Sequence, residues 1–171
     1  PNPLGFYGKS KMSGESILNS LGSGWCIART STPFGIHSTK KSFPLWVKEN
    51  LESKKETSIL TDQFTSPTYV PNLSKMLIEV ATRQITGIIH LAGASRVSRY
   101  ALAEMIADRL NFDKTLLKPT KITEMNWKVQ RPKDSSLDVS LVSEILEEKP
   151  QKIDQSLELF IDELNSISET L

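Results

Sequence analysis

The run Tyr7-Gly8-Lys9-Ser10-Lys11 sets a phenol and an ammonium four residues apart at the front of a chain of 171 residues. Four residues of α-helix advance ~6 Å and return to nearly the same azimuth, so the spacing predicts that both groups stand over one helix face. Such a pair normally works beside a glycine-rich turn that holds a dinucleotide's phosphates. No G-x-G-x-x-G or G-x-x-G-x-x-G follows a strand pattern, and Gly5, Gly8 and Gly14 flank or occupy one helix instead. The phosphate cradle is therefore expected elsewhere. The chain reads as the second half of a larger α/β enzyme, its upstream dinucleotide-binding half missing.

The pattern beyond that pair supports this class. Residues 7–21 read as a helix ended by Gly22-Ser23-Gly24, and Trp25–Thr30 as a short buried strand whose end switches abruptly to Arg29-Thr30-Ser31. A helix is predicted from Phe43 to about Ser53, a brief strand over 58–60, and a polar loop over 61–68 that is a second candidate site segment. Pro71 opens an amphipathic helix, Gly87 resets the chain into the inner strand Ile88–Leu91, and Ser98 N-caps a helix running to Leu110. Residues 111–136 are less regular, with a strand near Leu116-Leu117 and a loop over 127–132. Asp138 is expected to cap a helix over 139–148, and a last helix covers 154–171. Alternating helices and strands predict an α/β fold with a partial Rossmann-like parallel sheet and a C-terminal substrate-binding region. Residues 1–35 and 60–95 are assigned to the Rossmann core. Residues 36–60 and 96–171 are assigned mainly to the substrate-binding region and closing helices.

Charge and cysteine usage narrow the partners. Twenty-one basic against 20 acidic residues leave a net charge of +1, which gives no broad field for nucleic acid or an anionic membrane. No segment reaches the roughly 18 apolar residues of a membrane span. Cys26, the one cysteine, lies in an apolar run and reads as a buried structural thiol, while His37 and His90 offer it no metal spacing. A cytoplasmic setting is expected.

The Tyr-Lys pair suggests carbonyl reduction. Hydride arriving at a carbonyl carbon leaves negative charge on oxygen, which a phenol within hydrogen-bond reach can protonate. A free phenol titrates near ~10, too high for efficient exchange at neutral pH, and a neighbouring cation is what favours the phenolate. Small residues at 8, 10, 13 and 14 leave room for a cofactor or a neighbouring backbone.

Taken in order, Tyr7-Gly8-Lys9-Ser10-Lys11 with Gly14-Glu15, Arg29-Thr30-Ser31, Phe34-Gly35, Asp62-Gln63 with Ser66-Pro67-Thr68, His90-Leu91-Ala92-Gly93, and Arg131-Pro132 with Ser136-Leu137-Asp138 form a pattern. The chain resembles the extended short-chain dehydrogenase/reductase superfamily, and most closely the dTDP-4-dehydrorhamnose reductase family and its archaeal relatives. The resemblance implies that Tyr7 is the catalytic acid and Lys11 its cofactor-binding partner. It implies too that Arg29, Thr30 and Ser31 lie beside the nicotinamide of NADPH or NADH. The absent upstream half would then supply the phosphate turn and a catalytic Ser or Thr, and this chain alone would be inactive.

The implied substrate is a nucleotide-linked 4-keto-6-deoxysugar. Familiar bacterial members carry Trp where this chain has Thr32, so the sugar pocket differs in shape. Trp127 could fill neighbouring space or pack as an ordinary loop aromatic. Arg131 could grip a diphosphate through its planar fork, and Gln63 could orient a nucleotide or sugar; surface solvation and loop capping are their structural alternatives. Arg29 could instead anchor the strand-end loop, and Asp62 reads as a turn carboxylate. Competing functions are a related epimerase or dehydratase using tightly held NAD, and a non-catalytic regulatory subunit. A homodimer is compatible with either.

Overall fold

Gly22 and Gly24, at φ of 104° and 94°, turn the chain out of its first helix α1 (Phe6–Ser20) through backbone that a Cβ would strain. They deliver Cys26–Arg29 as strand β1. The structure, a computed structural model, describes residues 2–168. After β1 come β2 (Pro33–Phe34), α2 (Phe43–Glu52), β3 (Thr57–Leu60), β4 (Phe64–Thr65), β5 (Thr68–Tyr69) and α3 (Val70–Thr82). The order continues with β6 (Gly87–His90), β7 (Val97–Ser98), α4 (Arg99–Arg109), β8 (Leu117–Thr120), α5 (Ser140–Ile145) and α6 (Ile153–Ser168).

The strands pair two by two. Strands β1 and β6 run parallel, with Cys26 opposite Gly87 and Arg29 opposite His90, and β3 runs parallel to β8 with Thr57 opposite Leu117. Parallel neighbours need a crossover, here carried for β1 and β6 by the segment containing α3. Short ties complete the frame: β2 with β5 in parallel, and β4 with β7 antiparallel. This is the α/β fold the sequence predicts, built on short parallel pairs of which β1 with β6 is one. Among the described residues β1 has no second strand neighbour.

Two apolar cores hold the chain. One joins α2, β3, β8, α4 and α6 through residues such as Val47, Ile59, Leu102, Leu157 and Phe160, and the ring edge of Phe160 meets Phe34 at 5.6 Å between centroids. The other joins α3, β6 and α5 through Met76, Ile89, Leu91, Val142 and Leu146. Helix α5 thus packs on the β1–β6 side, although it falls within 96–171. Helix α1 contributes no buried residue to either core.

Several boundaries differ from the sequence reading. Strands β2, β4, β5 and β7 have two residues each, too few for any periodicity, and exist through partners far along the chain. Helix α5 stops at Ile145, because the backbone amides of Glu147 and Glu148 donate to the Glu79 carboxylate at 2.7 and 2.9 Å and draw the chain out of the helix. Val139 takes the capping position, and Asp138 accepts from the backbone amide of Ser140, the first residue of α5, at 2.9 Å. Ser98 caps α4 as expected, accepting from the Ala101 amide at 3.0 Å. Cys26 is half-buried rather than buried, and desolvation pushes its thiol up. The end of the last predicted helix, 169–171, lies outside the described residues.

A buried polar knot fixes the C-terminal ends of β1 and its neighbours. The Ser31 hydroxyl donates to the Ser135 carbonyl at 2.7 Å and lies 3.0 Å from the Thr65 hydroxyl. Thr68, 0% exposed, donates its hydroxyl to the Ser31 carbonyl at 2.6 Å and accepts from the Gly93 amide at 3.0 Å. Thr68→Val keeps the shape but strands both groups, each at about 1–3 kcal/mol. The variant is expected to lose roughly 2–4 kcal/mol in urea unfolding; an unchanged midpoint and slope would contradict this role.

Candidate active site

One turn of α1 carries Tyr7 and Lys11 on a shared face, with the Lys11 Nζ 5.5 Å from the Tyr7 ring centroid. Tyr7 is 77% exposed, its ring standing out from the helix rather than packed beneath it. Glycine at position 8 is a steric requirement: a Cβ there would come 2.9 Å from the Cβ of Pro3, whose segment lies across the helix.

One turn beyond Lys11 on the same face, Glu15 takes the Arg29 guanidinium in a two-pronged bond, Nε to Oε1 at 2.9 Å and Nη2 to Oε2 at 2.6 Å. That ion pair ties α1 to the end of β1. Hydrogen bonding from Arg29 holds the Glu15 carboxyl below its ordinary range, and the same bond raises the arginine. A depressed carboxylate contributes stability that is present above its unfolded pKa and lost as pH falls through the folded one. Glu15→Gln should therefore cost about 1 kcal/mol at neutral pH, and the gap from the parent should close as pH falls below about 4. A gap independent of pH between 7 and 3 would contradict the assignment.

Three cavities adjoin along this face. A cleft of about 710 Å³ lies between α1 and the end of β1, lined by Tyr7, Lys11, Met12, Arg29 and Thr30, with residues 134–137 as its far wall. A second cavity of about 640 Å³ lies across Tyr7, between the leading residues and 129–132. The third, about 340 Å³, is lined by Phe43, Trp46, Gln63, Arg99, Trp127 and Arg131. Tyr7 lines the first two and Arg131 the last two, so the phenol stands at the junction of the cleft with the cavity that reaches Arg131.

Backbone bonds hold the far wall to β4: the Phe64 amide donates to the Lys133 carbonyl at 2.7 Å and the Ser135 amide to the Phe64 carbonyl at 3.0 Å. Asp134 organises the turn there, accepting from the Ser136 amide at 2.9 Å and from Arg96 Nε at 2.9 Å. Its carboxyl is held down first by the Ser136 hydroxyl.

The sequence-derived residues thus fall into three groups. Tyr7, Lys11, Arg29 and Thr30 share the cleft, although the Arg29 fork is occupied by Glu15. Ser31 and Thr32 belong to the knot below it. Ser31 is 5% exposed with its hydroxyl committed, while Thr32 bonds Thr65 through its side chain and holds an unusual φ of 43° for a β-branched residue. Gln63, Trp127 and Arg131 meet in the third cavity, where Gln63 donates to the Pro132 carbonyl at 3.2 Å. Asp62 accepts from the Ile122 amide at 2.9 Å, a turn role.

Sequence reasoning missed Glu15, Arg99, Phe43 and Trp46 as site residues. Glu15 was signalled by the 7, 11, 15 progression along one helix face. Arg99 was signalled by its position, a cation on the first residue of a helix, where the macrodipole opposes it.

The chain is 29% identical over 145 residues to the probable low-salt glycan biosynthesis reductase Agl14 of Haloferax volcanii, covering 83% of this chain and 48% of that protein. It is 29% identical over 170 residues to the dTDP-4-dehydrorhamnose reductase of Aggregatibacter actinomycetemcomitans, covering 91% of this chain and 56% of that one. The crystal structure of dTDP-4-dehydrorhamnose reductase from Bacillus anthracis in complex with NADP superposes with a TM-score of 0.86 at 26% identity, covering 95% of this chain and 57% of that one. The chain spans about half the length of the curated relatives it matches. The family model of the RmlD substrate binding domain matches residues 1–166, and the chain belongs to that family.

Proposed function

We propose that this chain forms the substrate-binding and proton-handling part of a reductase acting on a nucleotide-linked 4-keto-6-deoxysugar, with dTDP-4-dehydrorhamnose the leading candidate. The observation that carries the reading is the Tyr7 phenol, beside the Lys11 ammonium, at the junction of the cleft with the cavity leading to Arg131. When bound, NADPH or NADH supplies the hydride. The cleft's residues fit the nicotinamide and ribose end of such a cofactor: Lys11 and Thr30 are polar, and Met12, Ile27 and Leu137 give an apolar floor. Nothing on this chain resembles a cradle for the cofactor's diphosphate.

Tyr7 donates its proton to the sugar oxygen as charge develops there, and Lys11 stabilises the phenolate that remains. Glu15 and Arg29 keep α1 at a fixed height over β1, which sets the phenol's distance from the reacting carbon. Residues 1–35 and 60–95 would form the dinucleotide side, and 36–60 with 96–171 mainly the sugar side. In the longer protein this reading implies, the uncovered α1 and the unpaired edge of β1 seat the part that holds the cofactor's phosphates. A cytoplasmic setting accompanies this function, and no helix among the described residues is long and apolar enough to cross a membrane.

The test is ketosugar-dependent oxidation of NADPH and NADH, run on the longer protein and on this chain with dTDP-, UDP- and GDP-linked 4-ketosugars. Turnover by the longer protein alone, fastest with the dTDP sugar, is expected. Turnover by this chain alone would refute the division of labour, and failure of the longer protein with every sugar would refute the reductase reading.

A further inference from the structure

Two cations and two carboxylates line the cleft between α1 and the end of β1: Lys11 and Arg29, Glu15 and Asp134. Both carboxylates are already engaged. Glu15 takes the Arg29 fork on its two oxygens, and Asp134 takes Arg96 on Oδ2 at 2.9 Å and the Ser136 amide and hydroxyl on Oδ1 at 2.9 and 2.6 Å. Lys11 has no carboxylate partner among the described residues, and its Nζ lies 5.5 Å from the Tyr7 ring centroid.

Helix α1 alone does not dictate that choice. Tyr7 and Glu15 stand one turn to either side of Lys11 on the same face, so the ammonium can reach a phenol four residues back or a carboxylate four residues on. At neutral pH a carboxylate carries a full charge and a phenol none, so an unengaged Glu15 would draw Lys11 away from Tyr7. What prevents this comes from β1. Arg29, its last residue, reaches across to α1 and satisfies both Glu15 oxygens with a planar fork that a single ammonium does not match. The same bond holds the Glu15 carboxyl below its ordinary range, and His90, opposite Arg29 in the β1–β6 register, acts on it in the same direction. Arg96 engages Asp134 likewise on the far wall.

We propose that Arg29 is a positioning residue that acts through charge: by engaging Glu15 it leaves Lys11 as the cation of the cleft without a carboxylate, free to serve the phenol. This deepens the proposed function, on which its kinetic consequences rest. A tie that only fixed the height of α1 would be lost equally whichever partner were removed. Charge makes the two removals unequal. Glu15→Gln loses the tie and leaves no anion, whereas Arg29→Met leaves a bare carboxylate one turn from Lys11. The double variant, Arg29→Met with Glu15→Gln, loses the tie without the anion.

The test is this mutant cycle in the longer protein, with ketosugar turnover followed from about pH 7 to about pH 4. Glu15→Gln and the double variant are expected to lower kcat by no more than about threefold, and Arg29→Met by about tenfold or more. The Arg29→Met loss should shrink toward that of the double variant as pH falls to about 4, because the released Glu15 carboxyl then takes up a proton and lets Lys11 go. Arg29→Gln, which hydrogen-bonds Glu15 without bringing a charge, replaces Arg29→Met if that variant fails to fold, as thermal unfolding will reveal. A second readout needs no turnover: the rate at which acetic anhydride acetylates Lys11 in this chain, followed by mass spectrometry. A rate about threefold or more slower in Arg29→Met than in the parent is expected, restored in the double variant.

Equal kcat losses in Glu15→Gln and Arg29→Met would overturn the proposal in favour of a purely mechanical tie. An Arg29→Met loss that Glu15→Gln does not relieve would overturn it in favour of direct contact between Arg29 and the cofactor. An unchanged Lys11 acetylation rate in Arg29→Met would overturn it too. If Lys11 responds as described while the longer protein reduces no ketosugar, the charge relation stands and only the reductase reading falls.

Discussion

Tyr7→Phe, placed in the longer protein that the proposed function implies, is expected to lower kcat by ~10²- to 10⁴-fold while leaving dinucleotide affinity within about threefold of the parent. The substitution removes one oxygen and keeps the ring, which is 77% exposed and holds no core together, so folding is not at stake. Under the proposed function only proton delivery to the nascent alkoxide is lost, an interaction made in the transition state and absent from the ground state. Lys11→Met should lower kcat and also raise the cofactor's dissociation constant, because the ammonium faces both the phenol and the cleft. Steady-state kinetics with a cofactor titration separate the two. Equal kcat in Tyr7→Phe and parent would remove the phenol from the chemistry.

Gly93→Ala is expected to unfold the chain or to destabilise it by about 3–5 kcal/mol. A Cβ at this position would stand 2.0 Å from the Pro67 carbonyl oxygen, a backbone atom that cannot swing aside, and 3.6 Å from the Gln151 carbonyl. The residue is also buried, and its amide donates to Thr68 at 3.0 Å, so any retreat breaks the knot that fixes the ends of β1 and β5. Gly14 gives the matched control, since a Cβ there meets nothing within 4 Å and lies on an exposed turn of α1. Gly14→Ala should be neutral or stabilise by up to about 1 kcal/mol. Thermal unfolding of both variants decides it, and a Gly93→Ala midpoint near the parent's would contradict the steric account.

What could be read from the sequence depended on how local the cause was. Tyr7 and Lys11 are related by one helical turn, and so were legible without any tertiary knowledge. Ser98 as a cap, Pro71 at a helix start and the strand before His90 were legible for the same reason. Strands β2 and β5, by contrast, exist because Phe34 sits opposite Tyr69, and β4 because Phe64 sits opposite Ser98, pairings that no window of residues contains.

Polar composition alone does not separate a loop that faces a cavity from one that satisfies buried backbone. Ser66-Pro67-Thr68 belong to the polar segment read as a site loop, yet all three residues are buried, and the Ser66 and Thr68 hydroxyls are committed to backbone groups. Arg99 is far in sequence from Phe43 and from Arg131, and only the tertiary arrangement places it over the one and in the same cavity as the other. Glu15 lies fourteen residues from Arg29, so its grip on the strand end required knowing how α1 folds back over β1.

A structure of the longer protein that the proposed function implies, bound to NADP and a 4-ketosugar nucleotide, gives the distance from the Tyr7 phenolic oxygen to the sugar's carbonyl oxygen. A distance of about 2.6–3.2 Å is expected, with the Lys11 ammonium beside the same phenol. A phenol turned away from that carbonyl, with another acid in its place, would contradict it.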